Sequence, residues 1–268
     1  MPERIVIFGQ YKTGTTALFY RLKHSLTGQV RTFFESDAYT PKLMDFRYHL
    51  LAKIILGQPE RVDYASFHSF RKRLVLIRDP RDWLVSGTLF MVQQEAALHR
   101  SPEVLAQVLA LFRQKEQSPA DHSLVSILRV LYRLAQNQSL ETMAAWMRQH
   151  TQWVLAFEQA ERKHLVVRYE DLVDNRLTTL ERYLGFALSS DTEVATEHAH
   201  VPRTKSYGNW KHWFTDEDIS FFKPLLQNYL QHYGYDETWE LHPYPLILPE
   251  HCTGYIERTV QKRLAIPQ

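Results

Sequence analysis

The chain has 268 residues, 44% hydrophobic and 13% aromatic, which is enough apolar side chain for one large core. Its 32 Lys and Arg against 30 Asp and Glu leave a formal charge of +2, so no broad electrostatic face for nucleic acid or membrane is expected. Cys252 is the single cysteine, which excludes an intramolecular disulfide or a cysteine-built metal site and suits a reducing compartment. The start of the chain has no signal-like pattern and no apolar run nears the ~20 residues of a membrane helix, so a cytoplasmic location is expected.

In chain order, Arg4-Ile5-Val6-Ile7 reads as a buried strand. It runs into Phe8-Gly9-Gln10-Tyr11-Lys12-Thr13-Gly14-Thr15-Thr16, and Leu18, Leu22 and Leu26 then recur at helical spacing. A strand, a glycine-bearing loop and a helix that starts on hydroxyls form an anion cradle. Amides of the first helical turn have no partner in the helix, and the helix dipole favours a negative charge there. Gly9 and Gly14 have the spacing of the triphosphate loop G-x-x-x-x-G-K-[ST], with Thr16 at its last position. Thr15 stands where that lysine belongs, and the loop's own lysine is Lys12, midway round. A lysine there is better placed over a reacting bond than beside a magnesium ion.

Gly28 to Phe34 predicts a turn and second strand that ends at Glu35-Ser36-Asp37. Tyr48–Leu56 is an apolar run that reads equally as a strand or a short helix. Arg73–Ile77 is a strand, followed by Arg78-Asp79-Pro80-Arg81-Asp82 and a helix from about Trp83. Apolar stripes then recur at helical spacing to about Ala160. Leu165–Tyr169 is the last strand, running into Glu170-Asp171-Leu172. After a further helix come Val201–Lys211, a helix over Asp216–Tyr233, and a proline-rich tail from Pro243 expected to lie on the surface. Strands alternating with helices imply a parallel sheet with crossover helices. The expected fold class is α/β: a three-layer P-loop-like fold with a central parallel sheet and a large helical insertion over about 88–160. All of it belongs to one domain over 1–268. Open parallel sheets bind ligands at the carboxyl ends of their strands. Lys12, Glu35, Arg78 and Tyr169 each follow a predicted strand end, so all four are expected to face one crevice.

At this point three separated motifs resemble those of the sulfotransferases that use 3′-phosphoadenosine 5′-phosphosulfate (PAPS). Lys12-Thr13-Gly14-Thr15-Thr16 is similar to the family's 5′-phosphosulfate loop. Leu76–Gly87 is similar to its 3′-phosphate motif, with Arg78 at the strand end and Ser86 in the next helix. Arg203–Thr215 resembles its C-terminal Arg-Lys-Gly…Gly-Asp-Trp-Lys segment, with Arg203-Thr204-Lys205 in place of Arg-Lys-Gly and Asn209 in place of the aspartate. Tyr169-Glu170-Asp171-Leu172 also matches a family strand end. The resemblance covers residues 5–215 in family order.

The resemblance implies transfer of a sulfuryl group from PAPS to an acceptor hydroxyl or amine, with adenosine 3′,5′-bisphosphate (PAP) as product and no metal. The donor carries two anionic ends and needs two anion sites. Lys12, Thr13, Gly14, Thr15 and Thr16 suit the 5′ end. Arg78, Ser86, Arg203, Lys205 and the amide of Gly208 suit the 3′-phosphate, and Tyr169 and Trp210 the adenine. Asp79 and Asp82 are expected to cap a helix and hold arginines. Many cytosolic members carry a Lys-x-His motif upstream of the 3′-phosphate arginine; here Lys53 stands at the lysine position and Ile55 at that of the histidine. The acceptor's base is therefore sought elsewhere. Glu35 is preferred, since carbohydrate sulfotransferases resemble this chain in using a glutamate from that region and a partly dry cleft raises a carboxyl pKa. His68 and Asp37 are the other candidates.

The acceptor is expected to be a small molecule, a glycan or a lipid, with no nucleic acid involved. Two alternatives accompany this reading: a P-loop phosphotransferase of kinase type, and a module that binds adenosine bisphosphate without catalysis. The stripe of Trp146, Trp153 and Phe157 reads as helical core or as an aromatic wall for a substrate.

Overall fold

A computed structural model of the chain describes residues 2–160, 164–191 and 206–265. The chain divides into two units, each built from two separate stretches: residues 1–78 with 153–195, and residues 79–152 with 196–268. One domain over 1–268 was expected, with an insertion opening at about 88. The division falls just after Arg78, and the second unit includes residues 196–268.

The first unit holds a five-stranded sheet with order β2-β3-β1-β4-β5, every pair parallel. The strands are β1 (Arg4–Gly9), β2 (Val30–Phe34), β3 (His49–Ile55), β4 (Lys72–Ile77) and β5 (Leu165–Arg168). The ambiguous run at 48–56 is thus a strand. It is buried from Leu50 to Ile55, which explains why it shows no alternation. Along β1 the side chains alternate. Ile5 and Ile7 join Leu18 and Leu22 of α1 (Thr15–Ser25) and Leu180 and Leu184 of α7 (Thr178–Leu184) in one core. Phe8, on the other face, meets Phe67 edge-on and Phe157 of α5 (Leu140–Ala160). The sheet is therefore covered on both faces, the middle of three layers. β1 lies between β3 and β4, where the winding reverses, and the loop that follows it sits at the switch point where open parallel sheets bind ligands.

The second unit is helical among its described residues. α2 (Pro80–Gln94), α3 (Pro102–Gln117), α4 (Leu124–Gln136), the first part of α5, α8 (Trp210–Trp213), α9 (Asp216–Tyr233) and α10 (Thr253–Leu264) share one core. Val92, Phe112, Leu131, Phe222 and Ile256 are among its most buried members. Asp218, wholly buried, caps two helices at once. It accepts from the Leu124 and Val125 amides at the start of α4 and from Thr215 N at the start of α9. The tail corrects the expectation of a surface-draped end. Prolines occupy 243–249, but α10 follows and buries Tyr255, Ile256, Thr259 and Val260 on one face. That face has helical spacing, and the prolines before it obscured the signal.

Candidate active site

The carboxyl edge of the sheet gathers the residues that follow β1, β2, β4 and β5. In the loop after β1, two residues adopt the left-handed region, Lys12 at φ 65° and Gly14 at φ 89°. For lysine this costs ~1–2 kcal/mol and persists only where the surroundings impose it. Three contacts do so here. The Thr13 hydroxyl donates to Gln10 O at 2.7 Å, and Thr13 N reaches the same carbonyl at 3.4 Å. Arg78 Nη1 donates to Lys12 O at 3.0 Å. The glycines are demanded by close approach. A Cβ on Gly9 would lie 2.5 Å from Thr15 Cγ2 and 3.0 Å from Leu76 O, and one on Gly14 would lie 2.6 Å from Tyr169 Cδ2.

Gly14 is the N-cap residue of α1, which has no side-chain cap and no acid in its first turn. The first-turn amides of α1 thus keep the capacity to bind an anion. Thr15 is buried and Thr16 half-buried at this terminus. The Thr13 hydroxyl gives its proton to Gln10 O and the residue is 1% exposed, so this bond shapes the loop.

Arg78 is 8% exposed, with its guanidinium carbon 4.4 Å from the centroid of the half-buried Tyr169 ring. Its Nε is buried and makes no hydrogen bond. α6 (Tyr169–Val173) begins where β5 ends, and β5 pairs with β4 so that Arg168 stands beside Ile77. That register brings Tyr169 and Arg78 together.

Glu35 follows β2, and its amide donates to Lys53 O at 2.7 Å as a last rung of the β2–β3 ladder. It too is left-handed, at φ 55°. Its carboxylate is ion-paired with Lys53 Nζ, which is buried and 4.1 Å from the centroid of Phe34. Glu35 itself is 41% exposed, so the partly dry cleft expected for it is replaced by a half-open site with a buried cation on one side. Asp37 is exposed and paired with Arg61 at 2.9 Å. His68 lies on the exposed side of the 3-10 turn Tyr64–Ser69, whose buried side chain is Phe67. Glu35 and Lys53 are thus brought together, and His68 is not a member of that pair.

In the second unit, Asp79 caps α2. It accepts from Arg81 N at 2.9 Å and takes the Arg81 guanidinium on both oxygens. Arg81 also donates to Thr238 O and lies 4.1 Å from the Trp210 centroid. Asp82 was expected to hold an arginine. It accepts from Gly208 N at 2.5 Å and Trp210 N at 3.1 Å. The Gly208 amide is thus bonded to Asp82, and Trp210 is 2% exposed with the Arg81 guanidinium over its ring. Ser86 is half-buried on α2. Arg203 and Lys205 lie outside the described residues.

Sequence reasoning passed over Tyr11, Gln58 and Tyr64. Gln58 Nε2 donates to Tyr11 Oη at 2.9 Å, and Tyr64 Oη donates to Ile55 O at 2.7 Å at the end of β3. Nothing in their spacing announces these bonds; the first joins the loop after β1 to the β3–β4 connection, and the second ties that connection to the end of β3. Among the described residues, no group of three or more His, Cys, Asp or Glu side chains could hold a metal ion, and no helix is long and apolar enough to cross a membrane.

The parallel sheet in this strand order, with a glycine loop and α1 after β1 and helices on both faces, defines an α/β fold of the sulfotransferase P-loop-like type. Its counterpart among solved structures includes the mouse sulfotransferase SULT7A1, crystallised with PAP. The two match with a TM-score of 0.51 over 85% of each chain at 13% identity, a likeness of fold. No protein-family model matches the sequence, and no curated protein does.

Proposed function

We propose that this chain is a PAPS-dependent sulfotransferase, moving a sulfuryl group to an acceptor hydroxyl or amine. The observation that carries the reading is Lys12, held left-handed in the loop by the Arg78–Lys12 O bond, at the uncapped start of α1. The mouse sulfotransferase of similar fold was crystallised with PAP, which supports PAP and PAPS as ligands here. The buried Arg78 Nε and the steric demand for glycine at 9 and 14 fit a cradle for anionic groups.

In this reading the amides at Gly14, Thr15 and Thr16, with the two threonine hydroxyls, bind the 5′ end of the donor. Arg78 serves the 3′-phosphate, and Ser86, Arg203 and Lys205 are assigned to it by their motifs. Tyr169 walls the nucleotide beside Arg78. Glu35 removes the acceptor proton as the acceptor oxygen forms its bond to sulfur. The bond from sulfur to the bridging oxygen breaks, its electron pair stays on the 5′-phosphate of PAP, and the Lys12 ammonium neutralises that developing charge. Lys53, paired with Glu35, positions the carboxylate. The step needs no metal, and we place the protein in the cytoplasm.

Calorimetry with PAP and ADP, with and without magnesium, tests the donor. Metal-independent binding of PAP that is lost with its 3′-phosphate is expected; equal affinity for ADP, or a magnesium requirement, favours a phosphotransferase. Transfer of radiolabelled sulfate then separates an enzyme from a binding module. Full activity in Glu35→Ala would remove Glu35 as the base, and comparison with His68→Ala would then decide whether His68 takes its place.

A further inference from the structure

The formal charge of +2 conceals an uneven distribution on the first unit. The Lys12 loop and Arg78 lie at the carboxyl edge of the sheet. At the opposite, amino edge Arg4 opens β1, Arg31 is second in β2, Lys72 opens β4 and Arg71 stands just before it. The register sets Arg4 beside Leu50, Val30 beside His49 and Ile5 beside Lys72, so these strand starts line up. Glu3 and Asp45 stand at the same edge, and each is paired, with Lys72 at 2.8 Å and with Arg31 at 2.5 Å.

From this edge projects a turn that inverts the usual pattern of burial. The 3-10 turn Leu43–Arg47 lies just before β3. Leu43 is 92% exposed, Phe46 63% and Met44 46%, three large apolar side chains within four residues. The acid between them is turned inward: Asp45 is 1% exposed. It accepts from Lys42 N at 2.9 Å, from the Tyr39 hydroxyl at 2.8 Å and from Arg31 Nη1. Tyr39 is itself buried, edge-on to Phe33 and Phe70. The turn is thus anchored to the core by its acid, and the anchor holds the apolar side chains outward. Lys42 and Arg47, both exposed, flank them, and the Arg47 guanidinium lies 5.5 Å from the centroid of the Phe46 ring.

That combination selects the partner. Clustered apolar side chains in solvent mark an interaction surface. A second copy of this chain fits poorly. About a two-fold axis Lys42 and Arg47 would face their own copies, and a single short turn falls well below the ~800 Å² per partner of a stable interface. A lipid surface needs no complementary shape. Leucine and phenylalanine enter the boundary between headgroups and acyl chains, while lysine and arginine stay level with the anionic phosphates. Leu43, Met44 and Phe46 supply the first part and Lys42 and Arg47 the second. Arg4 and Arg71 extend the positive field behind them.

We propose that the turn Leu43–Arg47 docks this protein on an anionic phospholipid surface, with Leu43, Met44 and Phe46 in the interface and Lys42 and Arg47 on the phosphates. The sheet then stands on its amino edge, and the Lys12 loop opens away from the bilayer. Docking is independent of the donor reading, because no residue of the turn belongs to that site.

Co-sedimentation of the whole chain tests this, with vesicles of phosphatidylcholine alone or with phosphatidylserine replacing a third of it. Binding to the phosphatidylserine vesicles that weakens as salt is raised is expected, with phosphatidylcholine alone at least ~tenfold weaker. Leu43→Ser combined with Phe46→Ser should weaken binding by at least about tenfold. Lys42→Gln combined with Arg47→Gln should weaken it by roughly thirtyfold. All four side chains are exposed, so the unfolding midpoint should not move. Insertion is read separately. Cys252 is buried, so Leu43→Cys can carry an environment-sensitive fluorophore selectively. Its emission should shift to the blue on phosphatidylserine vesicles, and that of a label at Glu60→Cys, beyond the carboxyl end of β3, should not. Absence of binding to phosphatidylserine vesicles, equal binding to both compositions, or full binding by the serine pair would overturn the proposal. So would a dimer, seen by analytical ultracentrifugation without vesicles, that the serine pair dissolves, because it assigns the face to a second copy.

Discussion

Two regions rich in charge and aromatic rings illustrate how differently the same residue types are used. In the loop after β1, two side-chain bonds go to the loop's own carbonyls: Thr13 to Gln10 O and Arg78 to Lys12 O. The start of α1 has no side-chain cap. At the start of α2, Asp79 caps the helix and takes both sides of the Arg81 guanidinium, Arg81 covers Trp210, and Asp82 takes the Gly208 and Trp210 amides. The first region leaves the first amides of α1 without a side-chain cap and Arg78 Nε without a hydrogen bond. The second spends its charges on its own backbone and rings. A buried charge signals a binding site when part of its bonding capacity is left over, and a structural joint when none is.

The largest effect should come from opening the joint. Arg81→Ala leaves the buried Asp79 carboxylate without its cation and should cost about 3–5 kcal/mol of stability, read by urea unfolding. The fraction that remains folded should still bind PAP, and a variant of unchanged stability would show that this ion pair is not structural. Lys12→Met is the converse. It should lower kcat by about 10²–10³-fold with the unfolding midpoint unchanged, since the ammonium is assigned to the transition state and not to the fold. A variant that unfolds early but turns over normally would erase the contrast between the two regions.

A pH experiment separates the fold from the site. His150 stacks on Trp146 at 4.7 Å, and burial lowers its pKa from 6.5 to about 4. Its folded value lies below its unfolded value, so between these values the unfolded chain binds the additional proton. Stability is therefore full above pH 6.5 and declines toward pH 4, with a slope approaching ~1.4 kcal/mol per pH unit. His150→Phe keeps the stack and should flatten that stretch of the stability profile, measured by denaturant unfolding at each pH. An unchanged profile would place the acid sensitivity elsewhere. The smallest effect is expected at Thr13: Thr13→Val removes its bond to Gln10 O and should cost about 1 kcal/mol, while Thr13→Ser should cost less. A loss of PAP affinity with no loss of stability in Thr13→Val would return Thr13 to the ligand.

The sequence alone determined four of the five strands and the helices that follow β1 and β4, because buried parallel strands such as Val75–Ile77 and the glycine spacing of 9 and 14 are local patterns. It also placed Lys12, Glu35, Arg78 and Tyr169 just past strand ends, which the parallel register aligns at one edge. It could not determine which polar groups were already spent. Thr13, Gly208 and Trp210 look like ligand-binding residues in a motif, yet their bonds go to Gln10 O, to Asp82 and beneath Arg81. It also left the run at 48–56 undecided, since burial on both faces erases periodicity. It could not foresee Tyr64 and the Gln58–Tyr11 pair, because those bonds join segments with no common pattern. Strand and helix follow from neighbours in sequence. Whether a donor or a ring remains available depends on neighbours in space, and only the tertiary structure decides that.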